Sequence, residues 1–136
     1  MENKIRHLEM IQGIINRMAS NSFLLKSWSV VLVSALFVLS AKEANTSFIY
    51  LAFFPALSCW ELDGYFLWKE RLFRELYDKV RKMDESEIDF SMNTSAISKK
   101  VKPWICITFS KTLRIFHGTI LGAIVIVVLL TMLQGR

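Results

Sequence analysis

The sequence predicts an all-α membrane protein with three transmembrane helices, the second extended into the cytoplasm, preceded by an N-terminal amphipathic helix. Three observations predict it. Three stretches of roughly 20 residues, the length that spans a bilayer core, carry almost no charge. Lys and Arg gather in alternate segments between those stretches. Outside them, apolar residues recur at helical spacing. The 136 residues allow one domain, and 53% hydrophobic content with only 21% charged residues excludes a disordered chain. Two cysteines, Cys59 and Cys106, exclude a disulfide scaffold.

Residues 1–21 place Ile5, Leu8, Ile11, Ile15 and Met18 on one face, with Arg6, Glu9, Asn16 and Arg17 elsewhere. That spacing predicts an amphipathic cytoplasmic helix, lying on the membrane or packed on another helix. The small, polar run Asn16–Ser22 predicts a bend. The first span is 22–41, interrupted only by Lys26. A cleaved secretory signal is disfavoured by Glu2 and Glu9 ahead of the apolar run, and by Leu39 three residues before a cut after Ala41.

The second span is 47–68, with Glu61 and Asp63 in its last third and Pro55 as a source of a kink. No breaker follows Trp68. Leu72, Phe73, Leu76, Tyr77, Val80 and Met83 continue the stripe, so 69–83 is expected to extend the span as one helix of about 37 residues, about 55 Å long. Outside the membrane this stripe needs cover, from the N-terminal helix or from a second copy of the chain. Residues 84–114 read as a cytoplasmic linker with an acidic cluster (Asp84, Glu85, Glu87, Asp89), then an interfacial re-entry segment opened by Pro103 and Trp104. The third span, 115–133, contains Gly118 and Gly122, a small-xxx-small face for close helix packing within the chain or between copies.

Orientation follows from the basic residues. Four precede or enter the first span, one (Lys42) lies in the 42–46 connection, eleven lie in 69–114, and Arg136 stands alone in the tail. Basic segments stay in the cytoplasm, which puts the N-terminus and 69–114 inside and the C-terminus outside. The net charge of +5 is then a topology signal and implies no nucleic-acid partner.

Intramembrane carboxylates are expensive and are paired, water-facing or functional. Lys26 and Asp63 fall at similar depth on antiparallel helices, which predicts an ion pair. Glu61 has no cationic partner in the sequence. It is expected either to line a lumen formed by several copies or to hydrogen-bond to Ser29 or Ser58. Two residues apart on a helix, Glu61 and Asp63 diverge by about 200° and cannot share a ligand. His7 and His117 show no metal-ligand spacing, no phosphate-binding loop or triad is visible, and His117 reads as an interfacial residue. Neither a metal, nor a cofactor, nor an enzymatic activity is expected.

The run HLEMIQGIINRMASNSFLLKSW (7–28), with WELDGYFLWKERLFRELYDKVR (60–81), resembles a family of short bacterial inner-membrane proteins, the RipA-like octameric membrane proteins. It is more loosely similar to SLATT-type membrane effectors of phage-defence systems. The resemblance covers about 75 residues, with Arg17, Asn21, Lys26, Asp63, Tyr65, Glu70, Arg71 and Arg74 as its polar signature. It implies a homo-oligomer in the bacterial inner membrane, without enzymatic chemistry, and an antiviral effector that perturbs the membrane on a signal from a cytoplasmic defence-system partner. SLATT-type proteins are described with two spans, where three are expected here.

Together these readings predict a homo-oligomeric membrane effector or pore component. Glu61, Asp63 and Lys26 would be its intramembrane polar residues. Arg17, Asn21, Tyr65, Leu72, Phe73, Leu76, Tyr77, Val80, Gly118 and Gly122 would make the oligomer or partner contacts, and the lipid bilayer would be the constant partner. The alternative is a non-conducting scaffold that recruits a cytoplasmic partner through 69–113.

Overall fold

A computed structural model describes residues 1–135, and among them every regular element is helical. Helix α1 runs Glu2–Glu43 without a break. It contains no Pro, and its one early glycine, Gly13, does not interrupt it. At 1.5 Å per residue its 42 residues reach about 63 Å. The expected bend at 16–22 is absent: Ala19, Ser20 and Ser22 are tolerated in a helix, and packing along one side holds the register. The amphipathic segment and the first span are one rod. Ala44 ends it in the left-handed conformation (φ 51°), its N–H bonding to the Ser40 carbonyl.

The return path is divided. Helix α2 (Ser47–Leu51) and helix α3 (Phe53–Arg81) meet at Ala52, so the single helix expected from 47 to 83 is two pieces. Pro55 supplies the reason. It has no N–H for the Leu51 carbonyl, and its ring crowds that carbonyl, so the turn opens where α2 meets α3. From Phe53 the helix does continue past Trp68 to Arg81, as the unbroken stripe predicts.

Helices α1 and α3 lie antiparallel along their length and share more contact than any other pair of helices. At one end Ile11 and Ile15 pack against Leu76 and Val80, closed by Ile97 and flanked by Leu8, Phe73, Tyr77, Ile88 and Met92. At the other end Val33 meets Ala52, Ala56 and Ile124. The first of these ends is therefore a helix pair strapped by 84–103, and the second is a three-helix layer. The strap holds two single 3₁₀ turns, Glu85–Glu87 and Ser98–Lys100. Glu85 reaches back to the start of α1, where its carboxylate takes the Asn3 and Lys4 backbone N–H groups and the N-terminal amine at 2.7 Å. A carboxylate there meets both the unpaired amides and the positive end of the helix.

Helix α4 (Trp104–Thr108) is a short turn after Pro103, and helix α5 (Lys111–Gln134) completes the chain. Helices α1 and α5 are long and apolar enough to cross a membrane, and only 11% of the most apolar stretch of each is buried within the chain. A core helix of a soluble protein would be mostly enclosed. Here Phe23, Trp28, Val38, Ile115, Ile126 and Leu133 point outward, which fits a membrane protein.

Candidate functional site

Three long-range polar contacts of the apolar layer converge on Asp63. Helix α3 presents it toward α1 and α5, and its side chain is fully enclosed. Ser22 and Lys26 stand one turn apart on the facing side of α1. The Ser22 hydroxyl donates to Asp63 Oδ1, and Lys26 Nζ donates to Oδ2 at 2.6 Å and to Ser22 Oγ at 2.9 Å. From α5, His117 Nε2–H donates to Asp63 Oδ2 at 2.7 Å. The expected Lys26–Asp63 pair forms, and it is one side of a four-residue cluster.

The surroundings are aromatic. Trp60 stacks on His117 with 5.8 Å between centroids and 9° between planes, and Phe116 meets the same imidazole edge-on at 5.1 Å. Lys26 Nζ lies 6.0 Å from the Phe116 centroid. In this dry setting one carboxylate offsets one ammonium and accepts three hydrogen bonds, the condition under which a buried charge is tolerated. His117 Nδ1 is buried with no partner in the described residues. The sequence places His117 at the interface; the structure places it inside the cluster, 1% exposed. The signal available was its position one turn into the third span, at the depth where Asp63 needs donors.

The cluster does not assemble a nucleophile. The Ser22 hydroxyl donates to a carboxylate and accepts from Lys26, so no base lies against it. No group of three His, Cys, Asp or Glu among the described residues is close enough to hold a metal ion.

Glu61 lies on the opposite side of α3. Its side chain is exposed and, among the described residues, makes no ion pair and bonds to neither Ser29 nor Ser58; the buried Ser29 hydroxyl has no hydrogen-bond partner among them. The divergence expected of residues two apart is what separates an enclosed Asp63 from an open Glu61. Glu61 instead lines a cavity of about 480 Å³ with Leu57, Trp60, Trp104, Ile105 and Phe109. Its walls are fixed by backbone acceptors. Trp60 Nε1–H donates to the Thr108 carbonyl at 2.7 Å, and Trp104 Nε1–H donates to the Glu61 carbonyl at 3.3 Å. Gly64 lets this happen: a Cβ there would stand 2.9 Å from the Thr108 Cα. Neither Gly64 nor Thr108 stood out in the sequence, because a glycine's role depends on which backbone crosses it.

Several expected contact residues are placed differently. Leu72, Leu76 and Val80 are buried within the chain, and Phe73 and Tyr77 pack against the same cluster, so the α1 end of this chain covers the stripe that was expected at an oligomer or partner interface. Tyr65 is half-buried, edge-on to Trp104 at 5.9 Å. Asn21 is half-buried and Arg17 exposed. Gly118 and Gly122 contact no neighbouring helix of this chain; added Cβ atoms would meet open space. Neither a family model, nor a characterised protein, nor a solved structure matches the chain.

Proposed function

We propose that this chain is a three-span subunit of a homo-oligomeric pore in a bacterial inner membrane, with its N-terminus in the cytoplasm and Glu61 turned toward a lumen shared by the copies. Support for the third crossing is that α2 and α3 run antiparallel to α1 over its whole length, so whatever layer α1 crosses they cross too. The inside-positive count of Lys and Arg supports the orientation.

The single observation that carries the pore reading is Glu61. It sits two residues from the buried Asp63, exposed and without an ion pair, on a surface that also shows Phe54, Leu57 and Ile105. A carboxylate facing hydrocarbon costs several kcal/mol, about 2.5–3.5 kcal/mol for an acid at the centre of a span on insertion scales. Water in a lumen removes that cost. The open Gly118 and Gly122 face supports close approach of a second copy. An effector role against phage rests on the resemblance of 7–28 and 60–81 alone.

Accessibility of residue 61 tests the reading. In a Cys59→Ala, Cys106→Ala background, Glu61→Cys in intact membranes is expected to react readily with a charged, water-soluble thiol reagent. Val31→Cys and Val38→Cys, at exposed apolar positions of α1, are expected to stay unreacted. Protection of residue 61 equal to that of 31 and 38 overturns the lumen.

A further inference from the structure

The cavity between α3 and α4 has a composition that selects a ligand class. It holds one carboxylate, Glu61, and no basic side chain lines it. Its volume of about 480 Å³ lies within the range of small-molecule sites, about 300–1,000 Å³. Trp60, Trp104 and Phe109 supply aromatic wall, and Leu57 and Ile105 supply aliphatic wall. The two indoles are held by N–H bonds to backbone carbonyls, and Trp60 is further clamped between Phe109 (5.6 Å) and His117, so the rings stand in place before anything binds.

We infer that this cavity binds an organic cation with an apolar body, its charge against the Glu61 carboxylate and its body against Trp60, Trp104 and Phe109. Charge complementarity selects the sign, since a lone carboxylate beside electron-rich rings attracts cations and repels anions. The shortage of oxygen donors selects an organic ion. A bare metal ion needs several oxygen ligands and finds one carboxylate here. A lone aromatic wall contributes about 0.5–2 kcal/mol to holding such a cation, most where water is excluded. The inference does not need the assembled pore, because every wall residue comes from one chain.

The test uses the full chain in maltoside detergent, titrated calorimetrically with tetraphenylphosphonium. Saturable binding is expected, weakened about tenfold by Glu61→Gln and largely retained in Glu61→Asp. Glu61 is exposed and its side chain holds no partner, so both variants are expected to keep the helical circular dichroism of the parent. Tetraphenylborate, of the same shape and opposite charge, is expected not to bind. Equal binding of the two ions, an unchanged affinity in Glu61→Gln, or displacement of the cation by phosphatidylethanolamine micelles, which would assign the site to a lipid headgroup, overturns the inference. Failure here leaves the thiol accessibility of residue 61 untouched, so the two readings fall separately.

Discussion

His117 Nε2 and Asp63 Oδ2 lie 2.7 Å apart across 54 residues of sequence, and this contact ties α5 to the α1–α3 pair. With Lys26 on the same oxygen and Ser22 on the other, Asp63 on α3 is the common acceptor of donors from two helices, α1 and α5. The cluster supplies a directional tie between helices whose other contacts are largely apolar, a role buried polar pairs can fill.

Removing Asp63 leaves a partly buried ammonium and a buried imidazole without their acceptor. Asp63→Ala is expected to lower stability in detergent by about 3–5 kcal/mol. The double change Asp63→Leu with Lys26→Met is expected to recover much of the loss, since no unpaired charge remains. Thermal unfolding followed by size-exclusion chromatography reads both, and a double variant as unstable as the single one contradicts the charge account.

Gly64 permits the crossing of α4. Gly64→Ala is expected to cost about 1–3 kcal/mol by forcing the Thr108 backbone outward. Thr108→Ala added to it is expected to rescue only in part, because the Thr108 Cα also lies within 2.9 Å of the new methyl. Full rescue would show that the side chain alone sets the spacing.

The end of the molecule that holds the start of α1 depends on Ile11, fully enclosed among Ile15, Leu76, Val80 and Ile97. Ile11→Ala is expected to destabilise by about 2–5 kcal/mol and to raise amide exchange in 73–83. Exchange confined to 2–15 would mean that the α3 extension does not rely on α1 for cover.

Glu85 titrates with that same end of the molecule. Its hydrogen bond to the N-terminal amine, helped by the Asn3 and Lys4 amides, holds its carboxyl below the usual carboxylate range. A depressed folded pKa means the stabilisation is present above the ordinary Glu range and is lost as pH falls through the lowered value. Amide exchange at 2–6 is expected to be protected at neutral pH, to rise on acidification, and to be raised at neutral pH by Glu85→Gln. Indifference of those amides to both changes contradicts the cap.

The helices were legible where one rule dominated. Apolar runs gave α1 and α5, and the stripe from Leu72 to Met83 gave the extension of α3, because burial on one side leaves a period in the sequence. The division at Ala52 was foreshadowed by Pro55. The continuity through Asn16–Ser22 was not, because small polar residues mark a bend only when packing does not hold the helix straight. Lys26 and Asp63 could be paired by depth, since both are charged residues in apolar runs. His117, Trp60 and Gly64 joined the site through α4 and α5, whose placement depends on contacts dozens of residues apart. The choice between the N-terminal helix and a second copy as cover for the stripe was a matter of tertiary geometry, and the chain covers it itself.

That self-sufficiency leaves Glu61, with the open Gly118 and Gly122 face, as the feature on which the proposed assembly rests. The direct measurement is the mass of the detergent-solubilised protein by native mass spectrometry. The account predicts a discrete multiple of the 15.8 kDa chain, large enough to enclose a lumen, and a monomer at every concentration would contradict it.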